Sequence, residues 1–144
     1  MNKVKLISIR VLLLIACLFN CNAIFAYNFE VNGICYSYIQ NTNNVAVAHK
    51  WTDIGTIDSK YYSGDIVVPE TVYYEGNTYN VVSIDYKAFS TSKNLKSVSL
   101  PNSIRTIGSS AFEGCIELQS INNPNGITKI GPWAFYGCES LLSI

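Results

Sequence analysis

The chain has few of the residues that catalytic sites require. Only 14% of its 144 residues are charged, and the single histidine is His49. One histidine cannot make a catalytic triad, and no Gly-x-Ser-x-Gly, His-Glu-x-x-His or phosphate-binding glycine loop occurs. The ten acidic residues show no pairing typical of acid–base catalysis, and the acids of residues 53–65 match no calcium-binding loop. We therefore predict that the protein is not an enzyme and uses no cofactor or metal.

Long hydrophobic runs are also absent, apart from a short one near the N-terminus. Lys3, Lys5 and Arg10 precede an apolar run over residues 11–19, which is far below the ~20 residues of a membrane span. A small residue, Ala26, ends the stretch that follows. This is the pattern of a secretory signal peptide, so we predict that residues 1–26 are a signal peptide, cleaved after Ala26. The protein would then be exported, and secreted or held at the outer cell surface.

A lipoprotein signal is the alternative interpretation of this region. The stretch Leu14-Ile15-Ala16-Cys17 is similar to a lipobox, in which Cys17 would be acylated and anchor the chain. Only six residues separate Arg10 from Cys17, and the residues after Cys17 are apolar, whereas a lipoprotein usually has a polar tether there. Ordinary cleavage is therefore favoured.

Removing the signal peptide changes the charge and the cysteine content. Residues 27–144 carry seven basic and ten acidic residues, a formal net charge of −3, without a basic cluster. This argues against binding to nucleic acid or to anionic membranes. Cys35, Cys115 and Cys138 remain, an odd number that is too small for a disulfide scaffold.

The dominant pattern is a repeat of 23 residues over residues 84–144. Apolar residues recur in one register, and this period lies in the ~20–29-residue range of leucine-rich repeats. The pattern predicts a β-rich α/β repeat fold: a right-handed solenoid in which each repeat has a short strand and one helical turn. The predicted repeat core consists of Ile84, Ala88, Phe89, Leu95, Val98, Ile107, Ala111, Phe112, Cys115, Leu118, Ile121, Ile130, Ala134, Phe135, Cys138 and Leu141.

Several features of the repeats are specified further. Gly108 to Gly114 would form the helical turn, and Cys115 and Cys138, one repeat apart, are interpreted as small buried residues. A disulfide between them is the alternative, since stacking would place their Cα atoms ~5 Å apart. The chain stops at Ile144, inside an expected strand, so we expect an incomplete last repeat whose uncapped edge favours self-association.

The residues before the regular repeats are interpreted as a cap. Residues 27–51 alternate like strands, with a two-residue hairpin turn at Asn32-Gly33 and a third strand from Val45 to Trp51. We assign residues 27–63 to a small antiparallel β cap and its connector, and 64–144 to the repeats. The first repeat is nine residues too long, so we predict an inserted hairpin over residues 73–81.

Two consecutive phrases carry a family resemblance. Ile107-Gly-x-x-Ala-Phe-x-Gly-Cys-x-x-Leu-x-x-Ile and its copy from Ile130 resemble the BspA-type leucine-rich repeats of bacterial surface proteins. The lead-in Phe-x-Val-Asn-Gly-Ile-x-Tyr from Phe29 is similar to that of such arrays. The resemblance implies a surface protein that acts in adhesion, with host extracellular matrix or another cell surface as its partner.

Aromatic and polar residues outside the core are the candidate ligand contacts. Tyrosine combines a large contact area with a polar tip and few rotors, which suits recognition surfaces. Packing of the cap onto the first repeat is the alternative role for these tyrosines. The candidates are Tyr61, Tyr62, Tyr73, Tyr74, Tyr79, Ser97, Ser99, Gln119, Asn122 and Trp133.

Two hypotheses for function follow. The first is a secreted or surface-displayed interaction module that binds a protein or glycoprotein. The second is a structural spacer or capping fragment of a longer surface protein, with no ligand of its own.

Overall fold

The structure is a computed structural model that describes residues 27–50, 62–122 and 124–142. These residues form two β-sheets and contain no helix, so none is long and apolar enough to span a bilayer. The β-rich architecture predicted from the sequence is confirmed. The ten strands are β1 (Phe29–Val31), β2 (Ile34–Tyr38), β3 (Asn44–Val47), β4 (Gly64–Val67), β5 (Thr71–Tyr74), β6 (Asn77–Ile84), β7 (Leu95–Ser99), β8 (Thr106–Ile107), β9 (Ser120–Ile121) and β10 (Lys129–Ile130).

The first sheet begins with the predicted antiparallel element, β1-β2-β3. Asn32 and Gly33 join β1 to β2 with φ angles of 50° and 80°, the left-handed pair that a tight hairpin turn requires. The third strand ends at Val47, earlier than predicted, and Trp51 lies outside the described residues.

The same sheet continues into the repeats without a break. β3 pairs in parallel with β6, and the parallel ladder then runs through β8 to β10. Ile84 pairs with Ile107, and Ile107 pairs with Ile130. The N-terminal element therefore supplies the strand on which the first repeat is built.

The second sheet is a separate three-stranded parallel ladder, β4-β7-β9. Ile66 pairs with Val98, and Val98 pairs with Ile121. Asn122 then bonds both backbone groups of Leu100, because its side-chain amide donates to the Leu100 carbonyl at 2.8 Å and its amide oxygen accepts from the Leu100 N–H at 2.5 Å. This side chain extends the ladder beyond the end of β9.

The inserted hairpin is present but begins earlier than predicted. It comprises β5 and β6, which pair antiparallel from Thr71 with Asn80 to Tyr74 with Asn77. Glu75 and Gly76 form the turn with φ angles of 45° and 84°. The predicted range of 73–81 missed Thr71 and Val72, which pair with Asn80 and Tyr79. It also included Val81, which pairs with Val45 of β3 in the parallel ladder.

The helical turn predicted at residues 108–114 is wrong. This stretch forms consecutive hydrogen-bonded turns, and Ser110 and Gly114 adopt left-handed conformations with φ angles of 54° and 71°. A right-handed helix cannot continue through such residues. Equivalent positions of the neighbouring repeats also have positive φ: Lys87, Thr91, Trp133 and Gly137. We call these corner stretches the turn segments: residues 85–92, 108–115 and 131–138.

Neighbouring turn segments are joined by backbone hydrogen bonds. The N–H of Phe89 donates to the carbonyl of Ala111 at 2.8 Å, and the N–H of Phe112 donates to the carbonyl of Ala134 at 2.7 Å. The corner of each repeat thus forms its own ladder beside the two sheets. The stack therefore satisfies backbone groups that an isolated turn would leave to water.

The core is a continuous stack of aromatic rings between these ladders. The rings of Phe89 and Phe112 lie 4.9 Å apart, those of Phe112 and Phe135 lie 5.2 Å apart, and both pairs are inclined by only 4°. Tyr62 packs on the N-terminal end of the stack, with its ring 4.6 Å from Phe89. One aromatic residue per repeat therefore fills the space between the sheets.

Burial of the predicted core residues falls along the stack. Those up to Ile121, together with Ala134, are buried. Phe135, Cys138 and Leu141 are partly buried against the core, whereas Ile130 is 49% exposed. The exposure of Ile130 differs from the prediction, because within the described part of the chain no further strand packs beside β10.

Candidate binding surfaces

The hairpin tyrosines are divided between core and surface by the alternation of the strand. Tyr74 points inward and stacks on Phe29 at a ring distance of 4.3 Å, and Tyr79 lies 5.7 Å from the same ring. Both are partly buried against the core. Tyr73 points outward and is 68% exposed. Of these three candidate contacts, the structure therefore displays Tyr73.

Tyr62 belongs to the core, which corrects its assignment as a surface residue. It is 4% exposed, and its hydroxyl accepts from the Cys35 N–H at 2.9 Å and donates to the Ala48 carbonyl at 3.0 Å. Burial raises the pKa of Tyr62 well above its ordinary value. The hydroxyl thus forms hydrogen bonds with two backbone groups of the N-terminal cap. Its neighbour in the sequence, Tyr61, lies outside the described residues.

The outer face of the second sheet is polar and partly occupied by its own contacts. The Ser97 hydroxyl donates to the Asp65 carboxylate at 2.6 Å. Asn122 is engaged with Leu100, as described above, whereas Ser99 and Gln119 are exposed. Ser99 and Gln119 are therefore the candidates on this face for which the structure shows no side-chain hydrogen bond.

Exposed aromatic side chains also occupy the turn segments. Trp133 is 72% exposed and has a φ angle of 58°. The equivalent residue of the preceding repeat, Ser110, is buried, and its N–H donates to the carbonyl of Pro132 in the next repeat. Sequence reasoning missed two further exposed aromatics, Tyr86 and Tyr136, at 59% and 68% exposure. The sequence feature that could have revealed them is a large aromatic residue at a repeat position outside the apolar core columns.

Two cysteines and a histidine are titratable groups in or beside the core. Cys115 and Cys138 are free thiols, and each Sγ donates to a backbone carbonyl of the preceding repeat at 3.1 Å. The hydrogen bond with Cys138, and then burial, raise the pKa of Cys115. Burial, and then the charge of Lys87, lower the pKa of His49 below its ordinary value. Within residues 27–50, 62–122 and 124–142, no cluster of three or more His, Cys, Asp or Glu could hold a metal ion.

The parallel ladders and the repeated apolar columns define the general class, a leucine-rich-repeat protein. Residues 76–144 match the model of the BspA type leucine-rich repeat region in 6 copies. The chain thus belongs to the leucine-rich-repeat proteins of the BspA type, as the motifs indicated. Proteins of this type are generally exported or located at the cell surface, and are typically non-enzymatic. No curated protein matches the chain.

Solved structures of similar proteins share this fold. A leucine-rich repeat protein from Bacteroides ovatus is 32% identical, with a TM-score of 0.70, over 82% of this chain and 29% of its own. A leucine rich cell surface protein from Faecalibacterium prausnitzii is 26% identical, with a TM-score of 0.63, over 81% of this chain and 29% of its own. The T. pallidum leucine-rich repeat protein is 28% identical, with a TM-score of 0.61, over 79% and 47%. The chain thus spans less than a third of the first two structures.

Proposed function

We propose that the protein is an exported recognition module that binds a protein or glycoprotein, in host extracellular matrix or on another cell surface. The observation that carries this proposal is the display of Tyr73. This side chain is 68% exposed, on a hairpin whose other face is locked into the core through Val72 and Tyr74. A large, rigid side chain on a well-packed support loses little entropy when it binds, which favours recognition.

The proposed architecture is a right-handed solenoid of 23-residue repeats, exported through the signal peptide of residues 1–26. Pairing of residues 23 apart in both parallel ladders, such as Ile84 with Ile107 and Val98 with Ile121, supports it. Attachment through an acylated Cys17 is the alternative to release. The negative charge of residues 27–144 supports a partner other than nucleic acid.

Self-association is a further part of the proposal. Ile130, Trp133 and Leu142 are 49%, 72% and 91% exposed at the C-terminal side of the stack. A second copy of the chain that packs there would remove this apolar surface from water. Sedimentation velocity at increasing protein concentration tests this. A monomer at all concentrations contradicts it.

A matched pair of variants tests the recognition role. Tyr73→Ser removes the displayed ring from the hairpin, and Tyr136→Ser removes an equally exposed ring, also 68%, from the last turn segment. Binding of the purified variants to immobilised extracellular matrix and to whole bacterial cells is measured alongside the parent protein. We expect at least a tenfold loss for Tyr73→Ser and little change for Tyr136→Ser.

Other outcomes separate the two hypotheses for function. Parent binding that both variants retain rejects Tyr73 as the contact. No binding by the parent protein to either surface favours the spacer, a role consistent with the small, uncharged side chains of Ser99 and Gln119 on the second sheet.

A further inference from the structure

A groove crosses the outer face of the first sheet, beyond the part of β6 that pairs with β5 in the hairpin. It has a cavity volume of about 240 Å³ and spans β6, β8 and β10. One wall is the outward column Ser83, Thr106 and Lys129, one residue from each of the three strands. Asp85 and Ser109 line the side where these strands lead into the turn segments.

Two glycines line this groove. Gly108 and Gly131 follow β8 and β10 at the position that Asp85 occupies after β6. A Cβ on Gly108 would lie 2.7 Å from the carbonyl carbon of Asp85, and one on Gly131 would lie 2.5 Å from the Ser109 nitrogen. The close approach of the repeats therefore excludes side chains here.

The carboxylate of Asp85 is held in place beside the groove. One of its oxygens accepts from the Ser37 hydroxyl at 3.1 Å, and the other accepts from the Tyr86 N–H at 2.7 Å. A carboxylate has about four acceptor sites, so each oxygen retains capacity for a ligand donor. A preorganised acceptor of this kind loses little freedom when a ligand binds.

The lining combines donors and acceptors with no net charge. The hydroxyls of Ser83, Thr106 and Ser109 can both donate and accept, Asp85 accepts, and the Lys129 ammonium donates. A phosphate or sulfate would face the carboxylate of Asp85, and an apolar ligand would leave the hydroxyls without partners. A neutral ligand that carries several hydroxyl groups satisfies the whole set.

Size narrows the ligand further. A volume of about 240 Å³ lies below the ~300–1,000 Å³ of pockets for drug-sized molecules, and it suits a single sugar ring. Neighbouring strands lie ~4.8 Å apart, so the hydroxyls of Ser83 and Thr106 are spaced on the scale of a pyranose. Tyr86, which follows Asp85 in the chain, is 59% exposed, and the Lys87 ammonium lies over its ring at 5.4 Å from the centroid.

From these observations we propose that the groove lined by Ser83, Asp85, Thr106, Ser109 and Lys129 binds a neutral hexose unit of a glycan. Asp85 accepts from ring hydroxyls, Lys129 donates to them, and the hydroxyl side chains complete the network. The site does not depend on the Tyr73 surface, so either can fail without the other.

The test is a titration of the purified protein, labelled with ¹⁵N, with glucose, galactose, mannose and N-acetylglucosamine in turn. We expect at least one sugar to give saturable amide shifts at Gly108, Gly131 and their neighbours, with a Kd on the order of 1 mM. Asp85→Asn keeps the shape and removes the charge, and should weaken binding roughly tenfold. Ser120→Ala, an exposed hydroxyl on the second sheet, should bind as the parent does.

Two further variants keep the proposal falsifiable if Asp85→Asn unfolds. Thr106→Val removes a hydroxyl at constant shape, and Lys129→Met removes the ammonium from an exposed side chain. Each should weaken binding severalfold, while the amide spectrum itself reports folding. No saturable shift with any of the four sugars overturns the proposal. Sugar-induced shifts that Asp85→Asn, Thr106→Val and Lys129→Met all leave unchanged also overturn it. Triglycine is titrated as a peptide probe, and shifts at the groove caused by triglycine but by no sugar overturn the proposal as well.

Discussion

Replacing Phe112 with alanine tests whether the ring stack holds the repeats together. Phe112 is fully buried between Phe89 and Phe135, at ring distances of 4.9 and 5.2 Å. Truncation removes the transfer free energy of the ring and leaves a cavity, which in protein cores costs about 3–5 kcal/mol. Because two aromatic pairs are lost together, we expect a loss of about 4 kcal/mol in the free energy of unfolding.

Phe135→Ala is the matched control, because it makes the same change in the same column. Phe135 is only partly buried, and Phe112 is its one stacking partner among the described residues. The cavity can fill with water there, so we expect roughly half the loss, about 2 kcal/mol. Urea unfolding followed by far-UV circular dichroism gives both values, provided that the m-value is unchanged.

The difference in free energy of unfolding between Phe112→Ala and Phe135→Ala tests whether the ring stack holds the repeats together. If Phe112→Ala and Phe135→Ala lower the free energy of unfolding equally, a ring inside the stack contributes no more than the ring at its end. The stacking argument would then be wrong. A loss below about 1 kcal/mol for Phe112→Ala, far from the ~3–5 kcal/mol of typical cores, would refute the central role of the column.

Three further predictions concern the backbone, the cap and pH. Gly108→Ala should lower the free energy of unfolding in urea by about 2 kcal/mol or more, since its Cβ would meet the backbone of the preceding repeat at 2.7 Å. Gly33→Ala is the control: with a φ of 80° and open space around it, it should lower the same quantity by about 1 kcal/mol. Tyr62→Phe should lower the free energy of unfolding by about 2 kcal/mol, because two buried backbone groups lose their hydrogen-bond partner. The control Tyr73→Phe, at an exposed position, should change it by no more than about 0.5 kcal/mol. A change that small for Tyr62→Phe would contradict the prediction. Burial, and then the charge of Glu30, raise the pKa of Cys35 to about 11 from its ordinary value of 9.0. The unfolded thiol therefore ionises first, and the free energy of unfolding should fall between pH 9 and 11, by roughly 3 kcal/mol at most. Cys35→Ala should flatten that part of the pH profile, and an unchanged slope would exclude Cys35 as its cause.

The family and the β-rich stack could be predicted because they depend on columns of apolar residues. Ile84, Ile107 and Ile130 are paired neighbours in the first sheet, as their shared register in the sequence implied. The hairpin at Asn32-Gly33 was equally legible, since few other residue pairs accept two positive φ angles. Such features follow from local chemistry, repeated at a constant spacing.

The backbone conformation of the turn segments could not be predicted from the sequence in this way. Trp133, Ser110 and Lys87 share a left-handed conformation, although none of them is a residue that signals it. Hydrogen bonds to the neighbouring turn segment compensate for this strain, so the conformation is a property of the stack. Sequence periodicity favoured a helical turn because it contains no information about these contacts.

The sequence by itself determined the repeat family, the apolar columns and the cap hairpin, because these depend on residue type and spacing alone. Only the tertiary structure decided which tyrosines are displayed. Tyr62, Tyr74 and Tyr79 pack inward, whereas Tyr73 faces solvent, since strand register and the approach of the cap set their directions. It also revealed the groove, since its lining, which includes Gly108 and Gly131, is brought together from three successive repeats.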